Sequence, residues 1–477
     1  MFSPSRRKFV VQSAASASLA AFSGMAFGST REKPVIVIGA GLAGLTAAYE
    51  LTRAQIPVIV IEASGRLGGR TMSSKIGLTH GQYGELGASL LGRQDLHPRM
   101  HRLVEEMGLA LEEVGYDQYE SAYHLGGKTF PASELDPSVQ NEVERVMGMI
   151  NEQAAQITNA DGRFCDFGRE EWEATPFSTW LAERDLSEEG RTIVEQFIRS
   201  EFDEPARISL MFVLQQFALS YHAGDDLELY RIKGGNERLA RRLGSTLRVP
   251  VIRGEPLHSL EDRGDGVLVK TRSARFHGRG VVLANPLRTY GRINFNGLLP
   301  EGLRDVAQGV NYGSHVKALL QYRRRFWLER GFDGDTMADI PLGWTWETSD
   351  GQRGDEGTLI TYTSGVHGDR HNRRSYLRRL HKSAAWVDEV YPGSRRELVG
   401  RHTYSFPNSP WAKGAYASYG VGEMAKYWDI LREVHGKIII AGEHSSPYTG
   451  FMEGAVESGM RAAAQVKDHW NHKDLEV

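Results

Sequence analysis

The residues most able to do chemistry near the N-terminus are Gly39-Ala40-Gly41-Leu42-Ala43-Gly44, which follow the apolar run Val35-Ile36-Val37-Ile38 without a spacer. Helix-forming residues continue to Arg53, and a second apolar run ends in Glu62, eighteen residues beyond Gly44. In this order of strand, glycine turn, helix, strand and acid, each residue has a task in holding a dinucleotide. Gly39 permits the tight turn, Gly41 lets the backbone approach a pyrophosphate, and Gly44 lets the helix close on the strand, with the helix N-terminus facing the phosphate charge. Glu62, followed by Ala63, sits where a carboxylate can accept both ribose hydroxyls of an adenosine. The glycines alone do not separate NAD from FAD. Arg66-Leu67-Gly68-Gly69-Arg70-Thr71 does: it sets paired glycines and a guanidinium beside the pyrophosphate, an element that NAD enzymes do not regularly need.

Such a motif works only if strands and helices hold it. Four apolar runs, Val35-Ile38, Val58-Ile61, Val281-Ala284 and Ile438-Ala441, read as buried strands of a parallel sheet. They are far apart in the chain, so one sheet containing them is assembled from three separate stretches. Between Pro131 and Gln216 the apolar spacing is helical, as in Val139, Val143, Val146, Met147 and Ile150. Val316–Tyr322, Thr358–Tyr362 and Trp344-Thr345-Trp346 have strand character and predict a second sheet. The expected fold is α/β: a discontinuous Rossmann-like FAD-binding domain on a parallel sheet (33–91, 225–290 and 431–470), plus an α+β substrate-binding domain with a helical part (92–224 and 291–430).

With 477 residues the chain has room for two such domains, and 40% hydrophobic with 25% charged residues is ordinary for a globular protein. Ser5-Arg6-Arg7-Lys8-Phe9-Val10 precedes an Ala/Ser-rich, acid-free run from Val11 to Phe27. This is a twin-arginine signal pattern over 1–28; it predicts export by the Tat translocase to the periplasm or beyond, with cleavage near Ala26-Phe27-Gly28. Removing it moves the formal charge from -3 to -6, since Arg6, Arg7 and Lys8 leave and no carboxylate does. No nucleic-acid footprint is present. Cys165 is the sole cysteine, which excludes an intramolecular disulfide and a cysteine-based metal cluster. His97 with His101, and His367 with His371, have helical metal-ligand spacing but no evident third ligand, so no metal is assigned. The basic run Arg370, Arg373, Arg374, Arg378, Arg379 and Lys382 reads as a solvated helix face.

The chain resembles the flavin amine oxidase family, which includes monoamine oxidases, polyamine oxidases, L-amino acid oxidases and bacterial nicotine oxidoreductase. The likeness runs from about Pro34 to Ala464. It is strongest over Gly39 to Thr71, Glu85-Leu86-Gly87-Ala88, Ala441-Gly442-Glu443 and Gly450 to Gly459. The resemblance implies FAD at the junction of the two domains, with cofactor contacts from Gly39, Ala40, Gly41, Leu42, Ala43, Gly44, Glu62, Ala63, Gly69, Arg70, Gly87, Ala88, Ser89, Leu90, Val251, Glu443, Phe451 and Met452. By the same likeness Glu443 binds the ribityl chain and Met452 opens a helix whose N-H meets the reduced ring. Gly414-Ala415-Tyr416 matches the segment that carries the covalent flavin cysteine in monoamine oxidases; Ala415 stands there, so the FAD is expected to be non-covalent. Tyr416 and Phe451 would flank the substrate as a partial aromatic cage. Lys317 matches the family's lysine that holds a water at flavin N5. A lysine in an apolar run often snorkels to the surface; kept inside, it has its pKa lowered by burial.

Two departures stand out. Ser89-Leu90-Leu91 replaces the stretch where amino acid oxidases commonly have a carboxylate-clamping arginine, with Arg93 close by, and Phe406, with Trp411 near, replaces a frequent tryptophan. The expected reaction is FAD-dependent oxidation of an amine to an imine, then a carbonyl, by hydride transfer, with reoxidation by O2 or a cytochrome-type periplasmic acceptor. The rival readings are an L-amino acid oxidase and a non-catalytic FAD-containing binding protein. Assembly as a homodimer is compatible with the sequence.

Overall fold

Branched aliphatic side chains pack well on a pleated surface, and Val35–Ile38, Val58–Glu62, Gly280–Leu283 and Ile438–Ile440 consist almost wholly of them. The computed structural model describes residues 32–116, 118–157, 169–219 and 227–470. Among these described residues the four strands share one six-stranded sheet, in the order Val434–His435, Ile438–Ile440, Gly280–Leu283, Val35–Ile38, Val58–Glu62, Ile252–Arg253. All neighbours are parallel except the edge strand Val434–His435. The strands thus come from three distant parts of the chain.

Both faces of this sheet are covered, which is why its strands are continuously apolar rather than alternating. Ile36, Ile38, Ile59 and Ile61 point into a core shared with the helical region, whereas Val35, Val37 and Val60 point at the helices Leu42–Arg53 and Met452–His469. Those two helices cross closely, because a side chain on Gly459 would meet the Ala43 carbonyl at 2.4 Å. The first and last elements of the fold are therefore locked together, and both begin at the same end of the sheet.

The second sheet is mixed and seven-stranded among the described residues, ordered Leu398–Tyr404, Val316–Tyr322, Gly357–Thr363, Trp344–Glu347, Phe332–Ala338, Glu120–Leu125, Lys128–Pro131. Its register aligns Tyr404, Lys317, Tyr362 and Trp344 in one row across four strands. Helices Pro137–Ala154, Glu188–Glu201 and Leu210–Leu219 make the helical layer expected between Pro131 and Gln216. No helix among the described residues is long and apolar enough to cross a membrane. The signal assigned to 1–28 and Cys165 lie outside the described residues.

Candidate active site

The glycine turn behaves as a backbone device. Gly39 has φ +103°, and a Cβ there would meet the Ala284 carbonyl oxygen at 3.0 Å. A Cβ on Gly44 would come within 2.0 Å of the Gly39 carbonyl oxygen, so only glycine lets this helix approach its strand so closely. Gly41 differs: its Cβ would find nothing nearer than Gly69 Cα at 3.9 Å, leaving open space on the side that a ligand would use. Glu62 accepts the Ala40 N-H at 2.8 Å and the Ser64 N-H at 2.7 Å, tying the acid to the turn. Arg70 donates to Glu443 Oε1 at 2.5 Å and to the Ala415 carbonyl at 2.9 Å, while Glu443 Oε2 accepts the Gly450 N-H at 3.0 Å. One ion pair thus ties the Arg70 loop to the Ala415 segment and to the turn that leads into the last helix.

All these parts open on a single cavity of about 870 Å³. Its wall holds Gly39, Gly41, Leu42, Ala43, Glu62 and Ala63 of the first turn and strand, Gly69, Arg70, Gly87, Ala88, Ser89, Leu90 and Glu443, and also Lys317, Tyr416, Phe451 and Met452. Two helix N-termini, those of Leu42–Arg53 and Met452–His469, meet the same space, and their dipoles favour negative charge there. An FAD would fit these walls: the open face of Gly41 leaves room for a pyrophosphate, Glu62 and Arg70 could offer partners to sugar hydroxyls and phosphate, and the volume is at the upper end of ligand pockets.

Three of the expected contact residues do not line this cavity. Ala40 and Gly44 stand behind the wall, in the turn and in the helix contact just described. Val251 directly precedes the strand Ile252–Arg253, whose Ile252 pairs with Ile61, and its half-buried side chain packs 4.0 Å from the Cβ position of Gly244. Glu255, Pro256 and Leu257 of the same segment reach the cavity instead. Arg93 also stays out of the wall; it is exposed and paired with Asp95 at 3.1 Å. Phe406 and Trp411 both reach the cavity.

The substrate end contains groups that spacing alone did not reveal. Tyr416 stacks on His315 with centroids 4.5 Å apart, and His315 also stacks on Tyr362 at 5.1 Å. The two tyrosine hydroxyls are 3.0 Å apart, and Tyr416 donates to the Glu201 carbonyl at 2.9 Å. Phe451 leans on His97 at 5.3 Å, and His97 Nδ1 accepts the Gly92 N-H. Both imidazoles are buried, His315 at 5% and His97 at 2% exposure, and burial drives their pKa values down to about 3 and about 4. They therefore serve as neutral packing against the rings.

Lys317 faces inward from the row of Tyr404, Tyr362 and Trp344. Its ammonium donates to Ser89 Oγ at 2.7 Å and to the Gly87 carbonyl at 2.9 Å, and lies 4.9 Å from the Trp346 ring centre and 5.2 Å from that of Tyr362. Burial pulls its pKa down to about 8, against the opposing pull of Glu228, Glu85 and Glu201. Glu85, buried behind it, has its pKa raised to about 7 by the same desolvation, though the Asn236 N-H and the Ser73 hydroxyl stabilise its charge.

Over residues 42–467 the sequence matches the profile described as flavin containing amine oxidoreductase. The chain belongs to the flavin-containing amine oxidoreductases. Within this family it is 24% identical to a probable flavin-containing monoamine oxidase A of Dictyostelium discoideum, covering 91% of this chain and 97% of the relative. It is 25% identical to an L-amino acid dehydrogenase of Synechocystis sp., covering 90% and 94%. Among solved structures, cyclohexylamine oxidase from Brevibacterium oxydans is similar in fold, with TM-score 0.83 at 23% identity over 92% of this chain and all (100%) of that one. The protein is thus an FAD-dependent amine oxidoreductase with the α/β fold expected from its sequence.

Proposed function

We propose that this flavin-containing amine oxidoreductase takes a neutral amine between Tyr416 and Phe451, oxidises its C-N bond to an imine, and releases a carbonyl after hydrolysis. Bound FAD supplies the hydride acceptor. The chain's own residues do the rest: the rings strip water from the amine and aim its C-H bond, and Lys317 holds or moves a proton beside it. The observation that carries this reading is the position of Lys317, whose ammonium stands in the same cavity onto which the nucleotide-binding glycine turn opens. A simple amine is favoured over an amino acid because Arg93, the arginine next in sequence to Ser89-Leu90-Leu91, is turned to Asp95 outside the cavity wall, and Arg70, Arg231 and Arg292 in the wall are engaged by Glu443, Asp350 and the Pro410 carbonyl.

Anaerobic mixing of the purified holoenzyme with mono-, di-, poly- and cyclic amines, and with amino acids, tests this directly. Bleaching of the flavin band by amines is expected; bleaching by amino acids alone would select the amino acid oxidase reading. The reduced enzyme is reoxidised by O2 or by a periplasmic acceptor of cytochrome type. Export through the Tat translocase follows from Arg6-Arg7, and the periplasmic or secreted location is tested by replacing both with lysine: the protein should then remain in the cytoplasmic fraction, and unchanged export would defeat the assignment.

A further inference from the structure

We propose that Ser89 is a positioning residue for Lys317: its hydroxyl, with the Gly87 carbonyl, fixes where the ammonium stands and helps keep its proton on. This goes one step beyond the role given to Lys317 above, and rests on it. A lysine side chain has four rotatable bonds and loses much rotamer freedom when held in one place, so a fixed ammonium needs fixed acceptors. The segment carrying those acceptors is pinned from both sides. Leu86 and Gly87 donate to the Met72 carbonyl at 2.9 and 3.1 Å, Ala88 donates to the Arg70 carbonyl at 3.2 Å, and Asn236 Nδ2 donates to the carbonyls of Ala88 and Ser89 at 3.0 and 2.7 Å. A side chain at Gly87 would meet the Arg70 carbonyl oxygen at 2.0 Å, so this strand of backbone cannot shift sideways. On the other side the ammonium is bounded by the Trp346 and Tyr362 rings.

A hydroxyl and a carbonyl that accept from an amine hold the charged form more strongly than the neutral one. Ser89 therefore acts in the same direction as the carboxylates of Glu228, Glu85 and Glu201 and against burial. The other titratable groups facing Lys317 are the buried His315, held neutral, and Tyr362, whose pKa burial pushes far up. Neither changes charge near pH 8. Glu85, with its pKa raised to about 7, titrates just below this range, but its charge is held by Asn236 and Ser73 and not by Ser89, so its step should stay in place and persist without Lys317. Removing the Ser89 oxygen should thus lower the pH at which Lys317 loses its proton.

The test uses holoenzyme carrying Ser89→Ala or Ser89→Thr, each also in a Lys317→Met background. The pH dependence of the oxidised flavin spectrum reads the charge on Lys317 whether or not a given amine is a substrate, and the pH profile of anaerobic flavin reduction reads its consequence. Ser89→Ala should move the inflection near pH 8 downward by about one unit, the worth of one charge-assisted hydrogen bond. Ser89→Thr, which keeps the hydroxyl, should leave it in place, and in the Lys317→Met background neither change should shift the remaining pH dependence of the flavin spectrum. If the alanine variant fails to load FAD, Ser89→Gly carries the test, since it also removes the hydroxyl, adds no titrating group and should likewise lower the inflection. An unmoved inflection in Ser89→Ala, or a shift that persists without Lys317, would overturn the inference. No bleaching of the wild-type flavin by any amine would instead count against the proposed reaction, with the spectral titration still deciding the role of Ser89.

Discussion

Lys317→Met should slow flavin reduction, reoxidation or both by about 10²-fold, the lower end of what a positioned acid-base side chain contributes, while leaving the bound FAD in place. Methionine retains much of the apolar stem but has no proton to hold. The pH behaviour makes the prediction specific. Burial lowers the pKa of Lys317 from 10.5 to about 8, so the group is an ammonium below that pH and a neutral amine above it. The wild-type profile should rise with pH for two reasons, deprotonation of the substrate amine and deprotonation of Lys317, and only the component near pH 8 should vanish in the variant. Linkage gives an independent check. Between about 8 and 10.5 the unfolded chain binds a proton at this residue that the folded chain does not, so stability rises with pH across that window, and at pH 7 the buried charge weighs against the fold. Lys317→Met should therefore not lower Tm at pH 7 relative to wild type. A variant with both half-reactions at wild-type rate would remove Lys317 from the mechanism.

Gly41 and Gly44, three residues apart, should fail in opposite ways. A side chain at Gly41 has open space in the protein, its nearest neighbour being Gly69 Cα at 3.9 Å, and the backbone there, at φ -75°, is one that any residue adopts. Gly41→Val should fold normally but fill the space through which a pyrophosphate reaches the turn, lowering FAD affinity at least about tenfold and giving a soluble, nearly colourless chain. Gly44→Val instead drives its Cβ to within 2.0 Å of the Gly39 carbonyl oxygen and 3.1 Å of Ala284 Cβ, so it should fail to fold or unfold at much lower temperature. Circular dichroism together with the visible spectrum separates the two outcomes. If Gly41→Val kept a full complement of flavin, the assignment of the turn to the cofactor would be wrong.

The difference between these glycines was readable from the sequence because the strand, turn, helix, strand and acid order fixes what each backbone position must do. The four central strands of the six-stranded sheet were readable for a related reason: strands buried on both faces are continuously apolar, whatever the distance between them in the chain; the short, less buried edge strands Val434–His435 and Ile252–Arg253 were not. Register across the second sheet was not readable. Lys317, Tyr362, Trp344 and Tyr404 form a row only because strands up to about ninety residues apart pair in one alignment, and a slip of one residue would turn each side chain to the other face. Hence Tyr362 and Trp346 escaped notice beside Lys317. His315, and the packing role of His97, were missed for another reason. Their task is to be buried and neutral behind an aromatic ring, which depends on packing and not on spacing.

The account depends most on distant stretches of this chain closing around one FAD that no covalent bond retains. The most direct measurement is to denature the purified protein, remove the polypeptide, and quantify flavin in the supernatant by absorbance and chromatography. About one FAD per chain, all of it released, is the expected result, in keeping with Ala415 at the position of a flavin-linking cysteine. Colourless protein that takes up no FAD when it is supplied would contradict the account.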